Sequence, residues 1–91
     1  MSGRGGEYDR VVAVVRMFAG ARAAAGRGSD EVPGMTVAAV LRAAEDRYGP
    51  AFGAVLGQCR VWVNGEPAGP DTVVGAADEV AVLPPVSGGA R

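Results

Sequence analysis

One apolar segment, Val11 to Phe18, constrains the fold more than any other part of the chain. Its β-branched residues favour an extended strand. Apolar side chains follow one another almost without alternation, so we expect most of both faces to be buried, as in the central strand of a sheet. Arg16, near the end of the segment, indicates that the face of Val12 and Val14 opens toward solvent there.

The clearest helix pattern begins at Thr36, whose hydroxyl can accept a hydrogen bond from a free amide of the first turn. The apolar residues that follow fall on one stripe at helical spacing, and the charged residues lie off that stripe. Gly49-Pro50 ends the helix. The stripe consists of Val37, Val40, Leu41, Ala44 and Tyr48, and the charged residues are Arg42, Glu45, Asp46 and Arg47.

Shorter patterns predict the other elements. Asn64-Gly65, between two extended segments, is the strongest hairpin signal because both positions accept positive φ. Thr72-Val73-Val74 fits either a brief strand or a helical turn. The remaining predictions are a short helix at 19–25, a weak edge strand at 31–32, further helical turns at 52–56, a strand at 60–63, its short return from Glu66, and a last strand at 79–83.

This order of elements predicts one α+β domain: a mixed sheet of four or five strands with one principal helix across one face. The first and last strands would lie side by side in parallel, with the long helix covering the crossover. That is the β-grasp, or ubiquitin-like, arrangement. We expect residues 1–9 to form a disordered leader, 10–83 the β-grasp domain and 84–91 a flexible C-terminal tail.

The composition excludes most catalytic schemes. The chain has no His, so neither a Ser–His nor a Cys–His pair can form. Its single cysteine, Cys59, cannot form an internal disulfide, and we expect it to be a small core residue rather than a nucleophile. No metal site and no bound cofactor are expected. All basic residues are Arg, so no side-chain amine is available for ubiquitin-style chains.

The net charge of −1 gives no general attraction to nucleic acid or to membranes. The N-terminus lacks the apolar stretch of a signal peptide, and no apolar run approaches membrane-spanning length. These features predict a soluble, cytoplasmic protein.

The C-terminal tail carries the chemistry that the rest of the chain lacks. Pro84 and Pro85 donate no backbone hydrogen bonds, so the chain leaves the sheet there in an extended direction. Gly88 and Gly89 have no Cβ and can enter a channel that is too narrow for other residues. A glycine carboxylate becomes an electrophile only after activation, for example as a mixed anhydride with AMP. The tail therefore predicts a substrate of an activating enzyme, not a catalyst.

Several segments resemble the MoaD/ThiS family of sulfur carriers. The resemblance covers roughly residues 11–89, and the double proline is more similar to MoaD, the small subunit of molybdopterin synthase, than to ThiS of thiamine synthesis. It implies a carrier that is not an enzyme on its own. The matching segments are Phe18-Ala19, Thr36-Val37, Val63-Asn64-Gly65, Asp78-Glu79-Val80 and Leu83-Pro84-Pro85-Val86-Ser87-Gly88-Gly89.

The resemblance implies a mechanism. An activating enzyme similar to MoeB or ThiF uses ATP to adenylate the terminal glycine, and persulfide sulfur replaces AMP to leave a thiocarboxylate. In MoaD-like proteins the tail then enters the large subunit, MoaE, and donates sulfur to the pterin precursor of the molybdenum cofactor. Carried over, Gly89 is the acyl carrier, Gly88 and Ser87 pass through the channel, Pro84-Pro85-Val86 aim the tail, and Leu83 lies at the partner interface.

Ala90 and Arg91 depart from this pattern, because working members of the family end at Gly-Gly. Either a protease, of the metal-dependent type that trims some ubiquitin-like carriers, cleaves between Gly89 and Ala90, or the chain is a divergent member that no longer carries sulfur. Of the two, we expect cleavage between Gly89 and Ala90.

Three functions stay open: a sulfur carrier, a modifier that joins its glycine to lysines of other proteins, and a binding module with an inert tail. Within the first, the sulfur acceptor is open, because related carriers also serve cysteine, thiamine and specialised-metabolite synthesis. Both of the first two functions require activation of the tail.

Trp62 points to the outer face of the sheet if Val61 and Val63 point into the core. Either the hairpin or the leader covers it, or it belongs to a partner-binding patch. Arg16 could pair with an acidic partner beside such a patch, or be an ordinary solvated side chain. Asp78 is expected to make the turn before the last strand. The expected core includes Phe18, Val37, Val40, Leu41 and Phe52.

Overall fold

The computed structural model describes residues 12–85. The predicted leader at 1–9 and the tail beyond Pro85 lie outside the described residues, so the expected domain boundaries stay predictions. The elements are β1 (Val12–Met17), α1 (Ala19–Ala25), β2 (Ser29–Pro33), α2 (Val37–Tyr48), α3 (Pro50–Leu56), β3 (Arg60–Val63), β4 (Glu66–Pro67) and β5 (Glu79–Leu83).

The five strands form one mixed sheet in the order β2-β1-β5-β3-β4. β1 and β5 are parallel, with Val15 opposite Val80, and the other neighbours are antiparallel. The predicted α+β fold, with the first and last strands side by side, is confirmed. The weak segment around Glu31-Val32 is an edge strand, as the sequence indicated.

The core lies between one face of the sheet and the helices. Alternate residues of β1 and β5 point into it, which matches the two-residue period of a strand. α2 contributes the stripe that the sequence predicted, with Leu41 and Tyr48 half-buried at its margin. The fully buried side chains include Ala13, Val15, Met17, Val32, Val37, Val40, Ala44, Phe52, Val80 and Val82.

Local signals account for the helix and hairpin boundaries. The Thr36 hydroxyl accepts a hydrogen bond from the Ala39 amide at 3.2 Å and caps α2. Asn64 and Gly65 have φ of 51° and 87° and form the two-residue turn between β3 and β4. Val73 makes only an isolated bridge to Thr36, so the segment that fitted either a strand or a helical turn is neither.

Phe18 was expected in the core, and this prediction was wrong, because the side chain is 42% exposed. Met17 points into the core, so strand alternation turns Phe18 to the same side as Arg16. The backbone of Phe18 stays extended, at φ −123° and ψ 153°, before α1 begins. Phe18 therefore lies on the sheet face opposite the helices, which we call the open face.

Cys59 packs half-buried against the core, as expected. Its thiol donates to the Val55 carbonyl at 3.2 Å, and burial raises the pKa of the thiol. Both observations favour an inert thiol rather than a reactive thiolate. Over residues 12–85 no helix has the length and apolar character needed to cross a membrane.

Candidate functional site

The tail leaves the domain at Leu83-Pro84-Pro85, which we call the tail exit. Leu83 is the last residue of β5 and lies opposite Arg60 of β3. The ladder beside β1 ends where the Phe18 amide donates to the Val82 carbonyl at 3.3 Å. Because the prolines have no amide hydrogen, the strand cannot continue with full pairing beyond this point.

The two prolines separate two shallow grooves. On the side of the open face, a groove of about 460 Å³ is lined by Phe18, Trp62, Ala81, Leu83 and both prolines, among others. On the helix side, a groove is lined by residues of α1 and α3 and again by both prolines. The tail exit therefore lies on the ridge between the open face and the helix layer, where a partner can contact it from both sides.

Trp62 forms the centre of an apolar patch on the open face. Val61 and Val63 pack against the core, so alternation directs Trp62 outward, as predicted. The indole lies across from Ala81 and stays 37% exposed. The hairpin thus leaves it accessible, and cover by the leader falls outside the described residues. We define the apolar patch as Phe18, Trp62, Ala81 and Leu83.

The two arginines beside the patch differ in their ion pairing. Arg16 lies opposite Ala81, and its Nε is 3.0 Å from Oε2 of Glu79. Both side chains are about half-exposed, so this pair contributes no more than about 1 kcal/mol. Arg60, two residues before Trp62, is exposed and joins none of the ion pairs found within residues 12–85.

Asp78 makes the turn before β5, as predicted. Its Oδ2 accepts from the Gly75 amide at 2.7 Å and its Oδ1 from Asn64 Nδ2 at 3.2 Å. These hydrogen bonds, with the Gly75 amide first, hold the pKa of the Asp78 carboxyl below its usual value. Asn64 Oδ1 in turn accepts from the Glu79 amide at 2.9 Å. The network fixes where β5 begins, and the prolines that follow Leu83 end the strand.

A second polar cluster lies away from the tail exit and joins β2 to α2. Asp30 Oδ2 accepts from the Tyr48 hydroxyl at 2.5 Å and from Arg47 Nη1 at 2.8 Å. Arg27 Nη1 lies 3.3 Å from the same oxygen. Arg47 Nη1 also donates to the Glu31 carbonyl at 2.8 Å. The cluster ties the edge strand to the end of the principal helix.

The pKa values in this cluster follow its hydrogen bonds. Burial by itself would raise the pKa of the Asp30 carboxyl, but hydrogen bonds from Tyr48 and Arg47 outweigh it and hold the pKa below its usual value. Burial, together with the bond to Asp30, raises the pKa of Tyr48 to about 12. We interpret the cluster as structural, because both Asp30 oxygens and the Tyr48 hydroxyl already have partners in the chain.

The structure brings the three predicted interface residues together: Leu83, Trp62 and Arg16 share the open face. Pro84 and Pro85 continue the open face beyond Leu83. The sequence analysis missed Phe18 and Arg60, although the alternation of their strands would have placed both on this face. The other predicted site residues lie outside the described residues; they are Val86, Ser87, Gly88, Gly89, Ala90 and Arg91.

Within residues 12–85 there is no group of three or more Cys, Asp or Glu side chains that could hold a metal ion. On the open face, the charged side chains nearest the tail exit are Arg60 and Glu79, which line its groove, and Arg16, which pairs with Glu79. These side chains offer charge for the recognition of a partner. The described part of the site is thus suited to contact a partner protein.

The sequence profile of the ThiS family matches residues 15–89. Among solved structures, the chain is similar to small archaeal modifier protein 1 of Methanosarcina acetivorans, with 30% identity over 87% of this chain and 97% of that chain and a TM-score of 0.79. The same protein of Haloferax volcanii shows 31% identity over 85% and 98%, with a TM-score of 0.76.

A third structure, the putative molybdopterin converting factor subunit 1 of Pyrococcus furiosus, shows 25% identity over 84% of this chain and 99% of that chain, with a TM-score of 0.74. No curated protein matches the chain. The three structures are almost completely covered, so the likeness extends over whole domains.

Proposed function

The chain belongs to the ThiS family of β-grasp carrier and modifier proteins, and we propose that it carries sulfur as a thiocarboxylate on Gly89. The observation that carries the proposal is the extent of the family match, which ends at residue 89, the second glycine of the tail. β5 ends at Leu83, and the two prolines that follow have no amide hydrogen with which to extend the sheet. Family members are small carriers or modifiers rather than enzymes, and the chemistry belongs to their partners.

Activation first requires removal of Ala90-Arg91. A metalloprotease hydrolyses the peptide bond between Gly89 and Ala90 and leaves a carboxylate on Gly89. Without this step the terminal carboxylate belongs to Arg91, whose long cationic side chain fits poorly into a channel that accepts glycine. Trimming therefore controls when the carrier becomes active.

The trimmed carboxylate is then activated by a MoeB/ThiF-like enzyme in the cytoplasm. The carboxylate attacks the α-phosphate of ATP, pyrophosphate leaves, and an acyl adenylate forms at Gly89. A persulfide sulfur attacks the acyl carbon and displaces AMP, and a thiol then cleaves the acyl disulfide to release the thiocarboxylate. ATP is bound by the activating enzyme, and the carrier itself holds no cofactor.

We propose a MoaE-like large subunit of a molybdopterin-synthase-like complex as the sulfur acceptor. Two observations support this choice over acceptors in cysteine, thiamine or specialised-metabolite synthesis. The tail carries two prolines before Val-x-Gly-Gly, which resembles MoaD, and the Pyrococcus furiosus relative is described as a putative molybdopterin converting factor subunit. The apolar patch and tail exit offer the large subunit a contact surface next to the tail.

Intact-mass analysis of the protein from its native cells tests the proposal. We expect a form that ends at Gly89 and a second form in which one oxygen of that terminus is replaced by sulfur. Alkylation of the thiocarboxylate should shift only the second form. The proposal is contradicted if, in cells grown under conditions that require the molybdenum cofactor, the chain still ends at Arg91 and neither form is present.

A second candidate function is protein modification, in which Gly89 forms an isopeptide bond with lysines of other proteins. The similarity to two structures of small archaeal modifier protein 1 favours it. Gly-Gly remnants on lysines of other proteins would identify this function. The chain itself contains no Lys, so its own side chains would not carry such remnants.

A further inference from the structure

We infer that Arg60 selects the enzyme that takes up the tail, by binding a carboxylate on the surface of that enzyme. The inference rests on the proposed function, because it assumes that an adenylating enzyme covers the open face while it holds the tail. It specifies which surface of that enzyme is complementary to the region beside the apolar patch.

Arg60 lies where such an enzyme has to make contact. On β3, Arg60 and Trp62 are two residues apart and so point to the same face. Leu83 lies directly opposite Arg60, and the groove that Arg60 lines continues to Pro84 and Pro85. Only three residues separate Pro85 from Gly89. An enzyme that binds this short segment from the side of the open face therefore also lies against the Arg60 end of that face.

The two arginines of the open face differ in what neutralises them. Arg16 is 3.0 Å from Glu79, whereas Arg60 joins no ion pair within the part of the chain that the structure describes. Covering an unpaired guanidinium with apolar surface removes its water without replacing the lost hydrogen bonds, which is unfavourable. A partner that covers Arg60 is thus required to supply an acceptor.

The chemistry of that acceptor follows from the guanidinium. A carboxylate can accept two parallel hydrogen bonds from Arg, in a geometry that lysine cannot reproduce. The complementary surface consequently places an apolar side chain against Trp62 and Leu83 and an Asp or Glu beside Arg60. An enzyme without that acid would leave the charge unpaired, so Arg60 acts against incorrect partners as well as in favour of the correct one.

The probe for this inference is the adenylating enzyme encoded in the same genome. Its affinity is measured by calorimetry for the full chain, for the chain ending at Gly89, and for both forms with Arg60→Ala or Arg60→Glu. We expect Arg60→Ala to weaken binding about 10- to 30-fold and Arg60→Glu at least about 100-fold. The affinity of the Arg60→Ala chain should also depend less on salt, because the screened pair is absent.

Arg42→Glu is the matched control. Arg42 is exposed on the charged side of α2, away from the open face, and the substitution changes the net charge by the same amount as Arg60→Glu. We expect its affinity to stay within about threefold of the parent chain, since exposed charges beyond a Debye length are largely screened. Urea unfolding of all variants confirms that the fold is unchanged.

The outcomes separate this inference from the proposed function. If the trimmed parent chain is adenylated and Arg60→Glu binds as tightly as Arg42→Glu, the inference is overturned and the proposed function stands. If the trimmed parent chain is neither bound nor adenylated, both fail. If sedimentation shows a dimer of the chain that Arg60→Glu dissociates, the face belongs to a second copy, and the inference is again overturned.

Discussion

Asn64 and Asp78 are joined across fourteen residues by a hydrogen bond of 3.2 Å from Asn64 Nδ2 to Asp78 Oδ1. One residue belongs to the turn of the β3-β4 hairpin, and the other closes the turn before β5. Asn64 also accepts the Glu79 amide at 2.9 Å. A turn residue thus sets the start of the strand that ends at the tail.

Asn64→Ala should destabilise the domain by about 1–2 kcal/mol, because it removes these side-chain bonds and places alanine at positive φ. Asn64→Gly separates the two effects, since glycine accepts the backbone conformation but makes neither bond. We expect it to fall between the parent and Asn64→Ala in urea unfolding. Equal stability of Asn64→Gly and the parent would show that the side-chain bonds contribute nothing.

Gly34→Ala should destabilise the domain by about 2–4 kcal/mol. A Cβ at Gly34 would lie 2.6 Å from the Val40 backbone nitrogen, and the residue has φ of 151°. Gly65→Ala is the matched control, because Gly65 has φ of 87° and open space around a Cβ. This substitution should lower the free energy of unfolding by only about 1 kcal/mol, because it adds backbone strain at positive φ without a steric clash. Similar unfolding midpoints for the two variants would contradict the steric explanation.

Truncation to alanine should lower stability at Phe52 and partner binding at Phe18. Phe52 is fully buried and packs edge-to-face on Tyr48 at a ring distance of 5.1 Å, so Phe52→Ala should cost about 3–5 kcal/mol. Phe18→Ala, at an exposed position, should change stability by no more than about 1 kcal/mol. It should instead weaken binding to the adenylating enzyme, which calorimetry measures directly. A stability loss for Phe18→Ala as large as that for Phe52→Ala would contradict the placement of Phe18 on the open face.

The Asp30 cluster makes stability dependent on pH at both ends of the range. The pKa of Asp30 is lowered in the folded state, so its contribution is present above the unfolded pKa and is lost as pH falls through the folded value. The pKa of Tyr48 is raised from 10.0 to about 12, so its contribution is present below pH 10 and is lost as pH rises toward 12.

Tyr48→Phe provides the check. It removes a hydrogen bond to a charged acceptor and should cost about 1–2 kcal/mol at neutral pH. The chain has two tyrosines, and absorbance of tyrosinate should show the later ionisation step only when Tyr48 is present. Retention of that step in Tyr48→Phe would assign it to Tyr8 and contradict the prediction.

Ala90→Pro should block maturation, because proline removes the amide hydrogen and fixes φ on the leaving side of the scissile bond. We expect the full chain to accumulate in native cells without a thiocarboxylate form, as measured by intact mass. A chain encoded to end at Gly89 should bypass the block. If Ala90→Pro still yields the sulfur-bearing form, trimming after Gly89 is not required in the way proposed.

Most of the fold could be predicted because its signals are local. The unalternating β1, the stripe of α2, the Thr36 cap and the Asn64-Gly65 turn each depend on residues within a few positions of one another. The parallel contact of β1 and β5 followed from the need to place two strands around one crossover helix. These predictions required no knowledge of distant side chains.

The error on Phe18 was local, whereas the omissions concern relationships between distant residues. Phe18 looked like core because it continues an apolar run, although Arg16, two residues earlier, indicated which face of β1 opens to solvent. Arg60 was not predicted as a site residue, because its lack of an ion-pair partner is seen only in the folded structure, where Glu79 pairs with Arg16 instead. The bond between Tyr48 and Asp30 joins residues 18 positions apart, and neither neighbourhood contains a pattern that predicts it.

The position of β5 has a mechanical consequence. The tail is continuous with the middle strand of the sheet, which is bonded to β1 on one side and to β3 on the other. A pull on the tail along its own direction therefore loads two ladders in shear, and their hydrogen bonds resist together rather than opening one after another. An enzyme that draws the tail into a deep channel, or a protease that grips its end, works against a strand that is hydrogen-bonded on both sides.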